Sequence, residues 1–202
     1  MSAATDFDAL YRRDADPWRV RTSWYERRKR EVVLASLLSP RYAAAWDPAC
    51  GTGDLARALV SRCDRVLASD LSDRAVELTV ERVAGRSRVE AHRHTLPEPP
   101  PWLSLPLDLV LLAEVLYYLP AADRERTYAL VDEVADDRAE VLAVHWRHDP
   151  HDGWLSGAAV TRECGTALTD RGWRAVVSHE DRDFVLASWV RGRPAADDGP
   201  DV

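Results

Sequence analysis

Short apolar runs alternate with helix-like segments along most of the chain, and this alternation constrains the fold more than any other feature of the sequence. One run, Leu107–Ala113, is almost continuously apolar, which is typical of a strand buried on both faces of a parallel sheet. The strand-like runs lie at 43–47, 65–69, 88–92, 107–113 and 141–145. Strands that alternate with helices predict an α/β protein with a doubly wound parallel sheet. Two last runs, 173–179 and 184–190, flank a charged turn and predict a closing hairpin.

The helical segments divide the chain into three predicted regions. Helix-like sequence at 6–13 and from Ser23 onward predicts an N-terminal helical cap over residues 1–40. Ser23 and Glu26 have the spacing of a capping box, so we expect Ser23 to cap the second helix. The alternating region predicts a core domain over 41–191. The Pro-, Gly- and Asp-rich residues 192–202 predict a disordered tail.

Composition argues against several classes of function. The chain has 202 residues, which suits one domain, and no run approaches the roughly 18 apolar residues of a membrane helix. A net charge of -7 gives no reason to expect a nucleic-acid partner. The first residues lack the basic stretch and apolar core of a secretory signal. Three cysteines without metal-ligand spacing fit a reducing compartment, so we expect a cytoplasmic protein. We also expect a monomer or homodimer that binds a small molecule.

A glycine-rich turn, DPACGTGD at 47–54, follows the first predicted strand and is the strongest local signal. Gly51 and Gly53 allow a sharp turn and a close approach of the backbone to a ligand. Asp47 stands at the strand tip, where its carboxylate can pair with a cationic group. A second acid, Asp70, ends the next strand at the place where an acid can accept hydrogen bonds from both hydroxyls of a ribose.

Two kinds of ligand are compatible with this turn. Gly51, Gly53 and Ala56 fit the dinucleotide fingerprint, whose glycines bring a pyrophosphate to a helix N-terminus. The alternative is S-adenosylmethionine, which has no phosphate. Asp47 and Asp54 flank the turn and would repel a pyrophosphate, whereas they suit a sulfonium and an ammonium. This charge pattern favours the methyl donor over NAD, with an incidental tight turn as the remaining alternative.

Three further segments, DPWRVRTSWYERRKR at 16–30, AEVLYYL at 113–119 and HWRH at 145–148, resemble the nodulation protein S family of S-adenosylmethionine-dependent methyltransferases. The resemblance extends over roughly residues 7 to 190. It implies a Rossmann-like class I methyltransferase fold, with seven mostly parallel strands and one antiparallel strand. It also implies S-adenosyl-L-methionine as cofactor and methylation of an amino-sugar nitrogen.

The resemblance also implies which residues surround the cofactor. Asp47, Gly51 and Gly53 would line its methionine part, Asp70 its ribose and Leu71 its adenine, with Trp18 and Tyr25 folded over it. Cys50 of the turn is also predicted to bind the cofactor. The chain departs from the family at three positions. Thr95 stands where related sequences carry an acid for the adenine amino group, and the adjacent His94 is the expected replacement. Ala49 replaces a frequent Gly, and Thr161 replaces an expected His.

Three residues are predicted to take part in the chemistry. Glu114 at the tip of the fourth strand would contact substrate or cofactor, and His145 at the tip of the fifth would serve as a base. Tyr118, with Tyr117, would orient the substrate or shield the sulfonium. Alternatively, Glu114 caps a helix, His145 is a satisfied strand-end histidine, and the tyrosines belong to the core.

The remaining aromatic, basic and histidine-rich segments have simpler interpretations. Trp46 and Trp173 are expected in the core, whereas other members of the eight Trp residues are expected to line a pocket. The basic run 27–30 is expected to be a solvated helix face, with contact of Arg28 or Lys29 to an anion as the lesser alternative. The histidine-rich stretch 145–152 has no fixed ligand set, so no metal is expected.

The sequence therefore predicts a methyltransferase that acts on an amine of a small molecule. Two other functions stay open: a protein of the same fold that binds the cofactor without methylating, for example to catalyse a cyclisation, and an NAD-dependent oxidoreductase. The absence of an acid at Thr95 is the reason for keeping the first of these alternatives.

Overall fold

A computed structural model describes residues 5–104 and 106–192 of the chain. Seven strands form one sheet: β1 Tyr42–Asp47, β2 Cys63–Asp70, β3 Val89–Arg93, β4 Leu107–Ala113, β5 Ala135–Trp146, β6 Arg174–Glu180 and β7 Phe184–Val190. The helices are α1 Phe7–Arg13, α2 Trp24–Ser36, α3 Asp54–Leu59, α4 Asp73–Arg82, α5 Ala121–Val134 and α6 Gly157–Asp170, with a short 3-10 turn at Leu116–Tyr118. The predicted alternation of strands and helices is confirmed.

The strands lie in the order β3-β2-β1-β4-β5-β7-β6. Neighbouring strands pair in parallel from β3 to β5, and β7 is antiparallel to both β5 and β6. This is the predicted seven-stranded sheet with a single reversed strand. The chain moves in one direction from β1 to β3 and in the other from β4 onward, so a crevice opens between the carboxyl ends of β1 and β4. Ligands bind at such switch points in open α/β sheets.

The central strand β4 packs apolar side chains on both faces of the sheet. Leu109 and Leu111 belong to a cluster that includes Val33 of α2, whereas Val110 and Leu112 belong to the cluster under α5 and α6. Because successive strand residues point to opposite faces, a strand covered on both sides must be apolar at nearly every position. This explains the continuous apolar run in the sequence. Burying each such leucine contributes about 1.5–3 kcal/mol to the stability of the fold.

The predicted capping of α2 is only partly correct. Ser23 occupies the N-cap position as predicted, but its side chain makes no capping hydrogen bond. The capping-box interpretation of Glu26 is wrong, because the Ser23 N–H already donates to the Arg19 carbonyl oxygen at 2.8 Å. Glu26 instead accepts a charge-assisted hydrogen bond from Lys29 at 2.9 Å, an interaction about twice as strong as a neutral one.

The structure locates the helices of the predicted cap but does not test the predicted bounds of the three regions. Helices α1 and α2 occupy the region predicted as a helical cap, and the bounds of the cap and core stay a prediction. The predicted disordered tail at 192–202 lies, apart from Gly192, outside the described residues. Within the described ranges, each helix is too short or too polar to cross a membrane.

Two glycines with similar left-handed backbones provide a test of how the glycine-rich turn packs. A Cβ on Gly53, whose φ is +76°, would lie 2.9 Å from two side-chain atoms of Thr79 in α4, whereas a Cβ on Gly85, at φ +78°, would meet nothing within 4 Å. We expect Gly85→Ala to lower the free energy of unfolding by about 1–2 kcal/mol through backbone strain alone. Gly53→Ala should cost about 1–3 kcal/mol more because of overpacking. Urea unfolding of both variants measures the difference, and equal losses would contradict the close packing of the turn on α4.

Candidate active site

A cavity of about 1270 Å³ opens at the carboxyl ends of β1, β2, β4 and β5. Its wall is completed by α1, α2 and the loop that follows β5. Ligand pockets for a single drug-sized molecule measure about 300–1,000 Å³, so this cavity is large enough for two small molecules side by side. Acidic side chains outnumber basic ones on its wall: the acids are Asp16, Glu26, Asp47, Asp54, Asp70, Glu114 and Asp152, and the bases are Lys29 and Arg30.

The glycine-rich turn is held in place by backbone and side-chain hydrogen bonds. The Cys50 N–H donates to the Ser69 carbonyl at 2.9 Å, and the Gly51 N–H donates to Asp70 Oδ2 at 3.0 Å. Cys50 and Gly51 both line the cavity, as predicted residues of the turn. Gly53 does not line the cavity and faces Thr79 of α4 instead, so its predicted ligand contact stays a prediction.

Asp70 ends β2 on the cavity wall and is anchored by the backbone. Its Oδ2 accepts from Gly51, and its Oδ1 accepts from the Ser72 N–H at 3.0 Å. Burial raises the pKa of Asp70, while the backbone N–H donors act in the opposite direction. Each carboxylate oxygen can accept a second hydrogen bond. The side chain is therefore fixed in position and still able to accept two hydroxyl groups.

Asp47 is the least compensated charged group on the cavity wall. It ends β1 with a side chain that is 1% exposed, and among the described residues neither carboxylate oxygen has a hydrogen-bond partner. Burial and the nearby Asp70 raise the pKa of Asp47 to about 7, while the backbone of Ala49 acts in the opposite direction. A buried carboxylate without partners is unfavourable unless it is neutralised or paired. The site is thus suited to a ligand that brings a positive charge or hydrogen-bond donors.

Asp54, the second acid of the turn, contributes less negative charge than the sequence suggested. Arg82 of α4 contacts its Oδ1 through Nε at 3.0 Å and through Nη2 at 2.5 Å. This ion pair neutralises Asp54, so the repulsion of a pyrophosphate at the turn would come mainly from Asp47.

Leu71, His94 and Thr95 form one end of the cavity. Leu71 is 42% exposed and offers an apolar surface. Nε2 of His94 lies 2.6 Å from the Glu98 carbonyl oxygen, which can only accept, so this nitrogen carries the proton. The buried Nδ1 is then an acceptor, and it has no partner in the part of the chain that the structure describes. Burial lowers the pKa of His94, which favours this neutral form.

Glu114 follows β4 in a left-handed backbone conformation, with φ at +53°. Such a conformation costs a non-glycine residue about 1–2 kcal/mol. The carboxylate receives the ammonium of Lys29 on Oε1, and the hydroxyl of Tyr117 and the N–H of Trp146 on Oε2, the last at 2.8 Å. Burial acts to raise the pKa of Glu114, but Lys29, His145 and the Tyr117 hydroxyl together outweigh it, so the pKa is lowered. Glu114 is therefore a fixed negative charge on the cavity wall.

Lys29 is buried on the cavity wall, so the interpretation of the whole basic run as a solvated face is wrong at this position. Its ammonium donates to Glu26 and Glu114 and lies 4.7 Å from the ring centroid of Tyr25. Burial acts to lower the pKa of Lys29, but the two carboxylates raise it, so the group stays charged. The sequence carried a signal for this cluster. Tyr25 and Glu26 precede Lys29 by four and three residues, which places all three on one face of a helix.

The predicted role of His145 as a base stays a prediction, and its position in the structure does not support it. His145 is fully buried and does not line the cavity. Its Nε2 accepts from the Leu116 N–H at 3.4 Å, and its Nδ1 lies 3.1 Å from the hydroxyl of Thr161. Burial lowers its pKa to about 4. The histidine ties β5 to the turn after β4, as the alternative interpretation proposed.

The aromatic residues divide between the core and the cavity as expected. Trp46 and Trp173 are buried in the core. Aromatic side chains line the cavity from the N-terminal region, the 3-10 turn and the segment from the end of β5 onward: Phe7, Tyr11, Trp18, Tyr25, Tyr117, Tyr118, Trp146 and Trp154. Tyr118 packs its ring against Phe7, with the centroids 4.9 Å apart. In the described ranges, including the histidine-rich stretch, the structure shows no cluster of side chains able to hold a metal ion.

This sheet, with its reversed β7 and acidic side chains at the ends of β1 and β2, defines a class I methyltransferase fold. The profile of the Nodulation protein S (NodS) family matches residues 4–142. The chain belongs to this family. The predicted family and fold are therefore confirmed.

Two curated proteins are similar to about half of the chain. Nodulation protein S of Bradyrhizobium diazoefficiens is 29% identical over 110 residues, which is 52% of this chain and 49% of that protein. The corresponding protein of Rhizobium tropici is 29% identical over 106 residues, 52% of this chain and 43% of that one. The chain thus spans about half the length of the curated relatives it matches.

Two solved structures share the fold over most of their length. A candidate methyltransferase from Pseudomonas syringae is 34% identical, with a TM-score of 0.71 over 84% of this chain and 100% of that one. The N-methyltransferase NodS from Bradyrhizobium japonicum WM9, in complex with S-adenosyl-L-homocysteine, is 20% identical, with a TM-score of 0.77 over 94% of this chain and 100% of that one.

Replacing Asp47 by Asn should stabilise the ligand-free protein. An acid whose pKa rises from 3.8 to about 7 on folding binds more protons when folded, so its contribution to stability falls as pH rises between these values. We expect Asp47→Asn to be more stable than the wild type at pH 8, by at most about 4 kcal/mol, with little difference near pH 4. Urea unfolding across this range measures the effect. Asp137→Asn, at an exposed acid, is the control. A variant less stable than the wild type at pH 8 would contradict the interpretation.

Proposed function

We propose that this protein transfers a methyl group from S-adenosyl-L-methionine to an amine nitrogen of a small molecule. The observation that carries the proposal is the buried carboxylate of Asp47, which has no hydrogen-bond partner among the described residues and lies beside Asp70 at the crevice between β1 and β4. A cofactor that carries an ammonium and a sulfonium would compensate this charge, whereas a pyrophosphate would add to it.

The wall of the cavity offers groups that suit each part of this cofactor. Asp47 and the backbone of Gly51 would hold the methionine part, and Asp70 would accept the ribose hydroxyls. Leu71 would pack against adenine. The free Nδ1 of His94 would accept a hydrogen bond from the adenine amino group, beside Thr95. Membership of the NodS family and the fold of the NodS complex support this assignment.

The aromatic residues at the mouth of the cavity would complete the cofactor site. Trp18 and Tyr25 come from the N-terminal region and face the strand ends across the cavity. Cys50 contributes a buried thiol within the glycine-rich turn. When bound, S-adenosyl-L-methionine supplies the activated methyl group. Aromatic faces near its sulfonium would stabilise the positive charge by about 0.5–2 kcal/mol.

Alignment of the acceptor and exclusion of water would be the main contributions of the protein to catalysis. Glu114 is fixed by three hydrogen-bond donors, so it can hold a cationic amine without moving. Tyr118 lines the cavity from the 3-10 turn and would position the acceptor. The excess of acids on the wall favours a cation over a neutral alcohol. The size of the cavity, about 1270 Å³, favours a small molecule.

The two alternatives receive less support. The possibility of a non-methylating protein arose from the missing acid at Thr95, and the acceptor nitrogen of His94 offers a replacement for that acid. An NAD-dependent oxidoreductase would require the pyrophosphate to lie beside Asp47, whose charge opposes it.

Ligand titration distinguishes the proposed cofactor from NAD. We expect S-adenosyl-L-homocysteine to bind in calorimetry at pH 7.5, and NAD not to bind. Asp70→Asn should weaken the binding of S-adenosyl-L-homocysteine about 10- to 100-fold, because hydrogen bonds to charged groups contribute about 1.5–3 kcal/mol. Asp73→Asn removes the same charge three residues away, outside the cavity, and should bind like the wild type. Binding of NAD in preference would contradict the proposal.

Methyl transfer tests the acceptor class. Labelled S-adenosyl-L-methionine is incubated with glucosamine, with tyramine and with catechol, so that an amino sugar, an aromatic alkylamine and a neutral oxygen acceptor are compared. We expect label in at least one amine and none in catechol. Label in catechol alone would contradict the proposed nitrogen acceptor while leaving the cofactor assignment intact.

A further inference from the structure

Helix α2 contributes a second carboxylate to the cavity, that of Glu26, and Lys29 bridges it to Glu114. The Lys29 ammonium donates to Glu26 Oε1 at 2.9 Å and to Glu114 Oε1. The lysine side chain is only 8% exposed and that of Glu26 only 14%, and both residues line the cavity. A buried ammonium shared by two carboxylates leaves this cluster with one excess negative charge.

The carboxylates of Glu114 and Glu26 differ in how many hydrogen bonds they accept. Glu114 receives donors on both oxygens, from Lys29, Tyr117 and Trp146. Glu26 receives a donor on Oε1 alone, and its Oε2 has no hydrogen-bond partner within residues 5–104 and 106–192. Glu26 therefore presents a free acceptor oxygen that Lys29 holds in place, whereas Glu114 is close to saturated.

We propose that Glu26 is the base that removes the proton from the acceptor's ammonium group, with Lys29 as the residue that positions it. This inference rests on the proposed amine methylation. An ammonium has no lone pair and cannot attack, so one N–H bond must first break and its proton pass to Glu26 Oε2. The amine lone pair then forms the N–CH3 bond as the S–CH3 bond breaks, and the electron pair of that bond returns to sulfur.

The surroundings of Glu26 suit a group that gains and loses a proton. Burial raises the pKa of Glu26, and the ammonium of Lys29 acts in the opposite direction. The other charged groups that face it are Glu114, which raises its pKa, and Arg30, which lowers it; the hydroxyl of Tyr25 also lies nearby. Glu114 has a lowered pKa instead, so it accepts a proton less readily.

The test compares Glu26→Gln with Glu31→Gln, which removes the same charge from an exposed position of the same helix. Binding of S-adenosyl-L-homocysteine should be unchanged in both. Turnover of the better amine of the glucosamine and tyramine pair is then measured from pH 6 to pH 10. General bases contribute about 10²- to 10⁴-fold, so Glu26→Gln should lose at least tenfold in kcat at pH 7. The loss should shrink above the pKa of the free amine, since an already neutral acceptor needs no base. Glu31→Gln should match the wild type.

Lys29 variants separate positioning from a general structural effect. Lys29→Arg keeps a cation that can bridge the two carboxylates and should retain most of the turnover, whereas Lys29→Met should show the same pH-dependent loss as Glu26→Gln. A Glu26→Gln variant with unchanged kcat, or with a loss of equal size at every pH, would overturn the role of Glu26. A wild-type protein that binds S-adenosyl-L-homocysteine but methylates neither amine would instead contradict the proposed function, and with it the need for a base.

Discussion

The electrostatics of the site depend on a buried negative charge that the described part of the protein leaves without hydrogen bonds. Asp47 ends β1 inside the molecule, beside a second carboxylate at the end of β2, and its pKa rises to about 7 as a result. This arrangement lowers the stability of the ligand-free protein, because desolvation and like-charge repulsion are both unfavourable. The arrangement becomes favourable when a cationic ligand supplies the missing partner. Under the proposed function, Asp47 therefore lowers the stability of the ligand-free protein and favours the binding of a cationic ligand.

The topology of the sheet explains why the functional groups meet where they do. The reversal of direction between β1 and β4 opens the crevice, and the acids at the ends of β1 and β2 lie on one side of it. Helix α2 and the turn after β4 close the other side with Lys29, Glu26 and Glu114. One half of the cavity therefore suits a nucleoside with a charged tail, and the other half suits an amine. Both halves are acidic, which matches the positive charge of their proposed ligands.

The sequence predicted what depends on local pattern and missed what depends on partners distant in the chain. The run 184–190 was placed correctly as a strand because its alternation is local. By contrast, β5 begins at Ala135 rather than near 141, because Ala135 pairs with Leu107 of β4. The Tyr42 hydroxyl, also distant in the chain, donates to Glu140 and accommodates this carboxylate in the sheet. The position of His145 at the end of a strand was predicted, but its contacts with Leu116 and Thr161 were not, since those partners come from other elements. Lys29 was hidden in a basic run whose other members are not buried.

The pH dependence of ligand affinity tests the central claim about Asp47 most directly. S-adenosyl-L-homocysteine carries an ammonium group, whereas 5′-methylthioadenosine has the same nucleoside and thioether without the amino-acid tail. The account predicts that the affinity for S-adenosyl-L-homocysteine falls as pH decreases below about 7, where Asp47 takes up its proton, and that the affinity for 5′-methylthioadenosine changes much less. Equal pH profiles for the two ligands, or a profile for S-adenosyl-L-homocysteine that Asp47→Asn leaves unaltered, would contradict it.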